Sequence, residues 1–116
     1  MNKKMITAVA AFALAGCSAV QIPADRLERS EASIRSAEEL GAQGVPAAKL
    51  HLQMAKDQTE AAKKMAANGD DRAVLVLARA EADAELALNI ARETSTHTEA
   101  ERASEELKTL KARATP

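Results

Sequence analysis

Aromatic side chains are almost missing from this chain. Phe12 is the only one in 116 residues, and there is no Trp or Tyr. No platform therefore exists for stacking bases or sugars. A basic excess is missing too: 16 basic side chains face 17 acidic ones, a net charge of -1. The chain carries no field that draws nucleic acid. Cysteine occurs once, which excludes an internal disulfide framework. Four glycines and three prolines are too few for a low-complexity linker. β-Branched residues are scarce, which argues against a sheet protein. What fills the space is alanine, 28 residues of it, with Glu, Lys, Leu and Arg. These are the strong helix formers.

The N-terminus reads as an address. Lys3 and Lys4 precede a ten-residue apolar run, Met5 to Leu14. That run is too short to cross a bilayer core of about 30 Å. Small residues follow it, as in a bacterial secretory signal. The run ends Leu14-Ala15-Gly16-Cys17, and the last residue is the single cysteine. This tetrapeptide resembles the lipobox of bacterial lipoproteins. The resemblance implies recognition of Leu14, Ala15, Gly16 and Cys17 by a signal peptidase, with cleavage before Cys17. It also implies a diacylglycerol on the Cys17 thiol and acylation, palmitate-type, of the new amino group. Two or three chains anchor stably, since each buried CH₂ contributes about 0.8 kcal/mol. Ser18 rather than Asp follows the cysteine, and by analogy with enterobacterial lipoproteins this points to the outer membrane, facing the periplasm.

Beyond a tether at 17–23, the expectation is all-α. Pro23 sets up a helix start, and Asp25 and Glu28 suit its positive end. Leu27, Ser30, Ile34, Ala37 and Gly41 recur at steps of three and four, before Gly41 and Gly44 stop the helix. Pro46 restarts it. Ala48, Leu52, Ala55, Thr59, Ala62 and Ala66 form a second row. Asn68-Gly69-Asp70 supplies a stop and a cap, and the third row is Ala73, Leu77, Ala80, Ala84, Ala87 and Ala91. Leu50, Met54 and Met65 are expected to widen the second row, and Leu75, Val76, Leu86 and Ile90 the third, as suits burial in a bundle. The short turn requires the second and third helices to run antiparallel. An antiparallel hairpin or three-helix bundle with an alanine seam over 24–93 is the predicted fold. Its core is thin, because each alanine buries little area.

The pattern changes after Glu93. Thr94, Ser95, Thr96 and Thr98 are mediocre helix formers. Apolar residues then restart at Ala100, Ala103, Leu107, Leu110 and Ala114. This row is two residues out of phase with the third, which rotates it by about 200°. Residues 94–116 are expected either to face another direction or to follow a break, as a helical or frayed C-terminal extension.

From Pro46, Leu50, Ala55 and Ala62 through Gly69-Asp70 to Ala73, Leu77-Ala78, Ala80, Asp83-Ala84 and Leu86-Ala87, the spacing resembles the bacterial "domain of unknown function 4398". Ser36-Ala37 and Leu40-Gly41-Ala42 resemble its first helix, so roughly residues 25–90 are covered. The resemblance implies a small alanine-rich helical lipoprotein. Some members resemble modules placed ahead of an OmpA-like peptidoglycan-binding domain, which this sequence lacks. Many carry an aromatic where Val45 and Asp71 stand here. The family brings no catalytic residue to carry over.

Nothing in the sequence assembles a catalytic or metal site. Glu93, His97 and Glu101 share a helix face, but one histidine and two carboxylates do not make a zinc site. Ser30, Ser33 and Ser36 lack a neighbouring base. Gly41-Ala42-Gln43-Gly44 is not followed by the Lys-Ser/Thr of a phosphate loop. Asp70-Asp71 reads as a cap, and the Glu81/Glu85 and Lys63/Lys64 groups as a solvated face. The chain is therefore expected to be no enzyme, with no metal and no cofactor beyond the lipid on Cys17. Expected partners are the membrane, an envelope or peptidoglycan-associated protein, or a further copy forming a homo-oligomer, and not nucleic acid. The alternative is a self-associating structural lipoprotein, similar to murein lipoproteins but ending Lys111-Ala112-Arg113-Ala114-Thr115-Pro116, without their C-terminal lysine.

Overall fold

The computed structural model describes residues 19–114. Among these are three α-helices and no strand: α1 (Ala24–Glu39), α2 (Pro46–Ala67) and α3 (Ala73–Ala114), with a single 3₁₀ turn, Ala42–Gly44, between the first two. Pro23 stands at the N-cap of α1 and Pro46 at the start of α2, where a missing N–H is no loss and φ is already helical. Side-chain pairs set the directions. Lys63 meets Glu31 and Lys56 meets Glu38, so α1 and α2 run antiparallel. His51 and Gln58 meet Asp83 beyond a five-residue turn, so α3 runs back along α2. The result is an up-down-up bundle.

The second and third rows are buried residue for residue. Ala48, Ala55, Ala62, Ala73, Ala80, Ala84 and Ala87 have no exposed surface, and Leu52 and Leu77 are the large side chains sealed among them. Small side chains bring helix axes toward the near end of the usual 8–10 Å range. One polar pair is sealed in the same layer: the Thr59 hydroxyl donates to the Ala55 carbonyl at 2.7 Å and lies 3.2 Å from Ser30 Oγ. Both hydroxyls are thereby satisfied, as burial requires.

Two expectations about the rows are corrected. Gly41 does not close the first row. It is exposed in the left-handed region at φ 78°, and the chain turns there so that Ala42 takes the buried place. The turn adds a residue to the spacing. Nor do the flanking residues widen the core as expected. Leu50, Met54, Leu75 and Leu86 are exposed, whereas Met65, Val76 and Ile90 are half-buried. Helix α1 covers only one side of the α2–α3 hairpin, so its outer surfaces stay wet.

No break interrupts α3 at the threonines. Its 42 residues run continuously to Ala114. The Thr94 and Thr98 hydroxyls donate to the carbonyls of Ile90 and Thr94, each at 2.9 Å, the usual way a mid-helix threonine satisfies itself. The last buried residue is Ala91, so some 34 Å of helix (23 residues at about 1.5 Å each) stands clear of the bundle.

Candidate functional site

Residues on one flank of the α2–α3 hairpin come together as the sequence alone does not announce. Reflecting Asp83 about Gly69 puts it level with Ala55. His51 is four residues before Ala55 and Gln58 three after, so both lie on its flank of α2. His51 Nδ1 is 2.8 Å from Asp83 Oδ1, and Gln58 Nε2 donates to Asp83 Oδ2 at 2.9 Å. The carboxylate only accepts, so Nδ1 carries a proton, and in the neutral ring Nε2 is left as an acceptor. Gln58 Oε1 is buried and has no hydrogen-bond partner. In the neutral ring one reachable acceptor, His51 Nε2, thus stands beside an orienting carboxylate. Met54 is three residues from His51 and four from Gln58, which places it on the same flank, 38% exposed. Leu50 lies one turn before it, 59% exposed.

Chemically, this cluster accepts hydrogen bonds next to apolar surface. A His–Asp pair orients a base for catalysis only when a nucleophile stands within reach. No hydroxyl is hydrogen-bonded to His51 among the described contacts, and the buried hydroxyls of Ser30 and Thr59 bond to each other between α1 and α2.

The α1–α2 side is different. A groove of about 340 Å³ runs between these helices over Ile34 and Thr59. Its charges neutralise one another: Lys63 reaches Glu31 at 2.8 Å and Glu60 at 3.1 Å, and Lys56 pairs with Glu38. The hydrogen bonds from Glu31, then Glu60, hold the Lys63 ammonium charged to higher pH than usual. Lys63 is therefore tied to acidic partners across the groove. Likewise Glu81 bonds Arg29 of α1 at 2.9 Å rather than sitting idle on a solvated face.

The remaining sequence-derived candidates resolve plainly. Asp70 caps the turn before α3, its carboxylate accepting the Arg72 N–H at 3.0 Å while the Arg72 guanidinium grips both oxygens. That guanidinium, then the backbone N–H, holds the Asp70 carboxyl below the ordinary range. His97 Nδ1 lies 3.5 Å from Glu101 on an exposed helix face, and Glu93 does not join them. No group of three or more His, Cys, Asp or Glu among the described residues is arranged to hold a metal ion. Leu14, Ala15, Gly16 and Cys17 lie outside the described residues. Among the described residues that follow them, Val20 N–H donates to the Ala66 carbonyl at 3.0 Å. No helix among the described residues is long and apolar enough to cross a membrane.

No family model matches the chain, and no curated protein or solved structure does either.

Proposed function

We propose that this chain is a lipid-anchored, non-catalytic interaction module of the bacterial cell envelope, docking a protein partner through the outer flank of α2. The observation that carries the docking role is the pairing of exposed Leu50 and Met54 with the partly exposed His51 imidazole, held in place by Asp83. A partner presenting an apolar side chain and a hydrogen-bond donor fits both. Burying the first removes apolar area from water. Supplying the second gives the partly exposed His51 ring a hydrogen-bond partner.

The anchoring role rests on Leu14-Ala15-Gly16-Cys17 and on the place of the tether. Val20 is bonded beside the C-terminal end of α2, so a lipid on Cys17 would hold the α2–α3 turn near the bilayer. The outer membrane, periplasmic side, is the proposed location because Ser18 rather than Asp follows the cysteine. The small alanine-rich helical lipoproteins of the "domain of unknown function 4398" remain the proposed kin.

Two experiments test the halves separately. Cys17→Ser should leave a full-length, lipid-free precursor, read by the mass of the membrane-extracted protein; normal processing of that variant ends the anchoring claim. A photo-crosslinking side chain at Met54 should capture one envelope protein reproducibly, identified by mass spectrometry, while the same probe at exposed Glu60 should not. Equal capture from both positions would remove the docking surface.

A further inference from the structure

The exposed leucines of α3 share a pattern that the bundle does not use. Leu75, Leu86, Leu107 and Leu110 are 57%, 43%, 58% and 53% exposed. All four fall on one row of alternating four- and three-residue steps that runs the length of the helix. Ala82, Ala100, Ala103 and Ala114 occupy further steps, and Arg79, Asn89, Glu93 and Thr96 are its polar members. Each bundle position from Ala73 to Ala91 has its row counterpart two residues later, about 200° around the helix. The shift of phase after Glu93 is thus no new beginning. It is where the inner row ends and the outer row continues alone.

We infer that α3 pairs along this outer row with α3 of a second copy, antiparallel, each extension lying on the back of the other copy's bundle. Several observations favour a second copy in this direction. A helix some 23 residues long without packing gains little from propensity alone, since most helical stability comes from a packed face. A four–three row of this length is the seam that two helices share. In a parallel pair, Arg79 would meet Arg79 and Glu93 would meet Glu93 within that seam. The antiparallel register that sets Leu86 against Ala103 also sets Ala82 against Leu107 and Leu75 against Ala114. Large then meets small throughout these layers, which is how facing positions fill space. Glu93 falls opposite Thr96, and Arg79 lays its apolar stem against Leu110. On the flank, Arg92 stands opposite Glu99 twice, once from each copy. The like pair Glu85 and Glu106 also occurs twice, on the same wet flank, where charges weigh less than inside a seam.

Disulfide trapping in the full chain tests this register. In a chain carrying Leu86→Cys and Ala103→Cys, the two thiols stand about 26 Å apart along one helix (17 residues at about 1.5 Å) and cannot join within it. Across the antiparallel pair they meet. The double variant should form a covalent dimer under mild oxidation, whereas each single variant and the unchanged chain, which share Cys17, should not. Crosslinking by a single variant equal to the double would overturn the register. So would an uncrosslinked double variant whose helix content matches the unchanged chain. In the double-cysteine chain, Arg92→Glu should lower the dimer yield several-fold, and adding Glu99→Arg should restore it. A yield indifferent to both changes would equally refute the pairing.

Discussion

At the scale of single residues, the fold depends on what alanine omits. Ala80 has no exposed surface where α3 meets its neighbours, and a methyl is all the space between close helices admits. Ala80→Leu adds three carbons to that layer. Overpacking of this kind costs about 1–3 kcal/mol, and for a domain this small each kcal/mol lowers the melting midpoint by roughly 4–8 °C. Circular dichroism on heating should show that fall, and an unshifted midpoint would mean the layer is looser than drawn. These residues were the most legible in the sequence. Ala48 to Ala66 and Ala73 to Ala91 could be placed by spacing alone, because a helix returns to one face every three or four residues. The His51–Asp83–Gln58 cluster was not. Its members are up to 32 positions apart, and only pairing across the hairpin brings them together.

Elements are joined here by two glycines in the left-handed region, Gly41 at φ 78° and Gly69 at φ 74°. The joint after α1 separates backbone effects from packing effects, because a Cβ at either Gly41 or Gly44 would meet nothing within 4 Å. Only Gly41 has positive φ. Gly41→Ala should therefore destabilise by about 1–2 kcal/mol through the strained backbone alone. Gly44→Ala should be neutral or add about 0.4–1 kcal/mol by restricting the unfolded chain. Urea titration of the two variants checks the contrast, and equal losses at both sites would contradict the assigned turn. The sequence marked this joint but misplaced its consequence: the turn advances the buried position from Gly41 to Ala42. It also left the threonine stretch open between a break and a continuous helix. Propensity differences of a few tenths of a kcal/mol per residue do not decide that, and back-bonded hydroxyls carry α3 straight through.

Along the described residues, α3 divides into a part packed in the bundle and a part that extends beyond it. Every residue from Arg92 to Ala114 is exposed apart from half-buried Ser95, so the bundle closes at Ala91. A chain ending at Arg92 should melt at the same midpoint as the full chain when both are dilute. The two should separate as concentration rises. A folded state that associates is stabilised by mass action, so the full chain's midpoint should climb while the shortened chain's stays level. Midpoints measured over a hundredfold range of concentration make the distinction. A shortened chain that melts lower even at high dilution would show that the extension supports its own bundle. The tether leaves this molecule beside Ala66, next to the start of α3, and the paired helices run in opposite directions. The two tethers of a dimer would then emerge about 65 Å apart along its axis (the 43-residue offset between the two starts, at about 1.5 Å each). With the proposed lipid on each Cys17, such a rod would lie along one bilayer rather than stand upright, turning one side of each bundle toward the lipid and the opposite side toward solution.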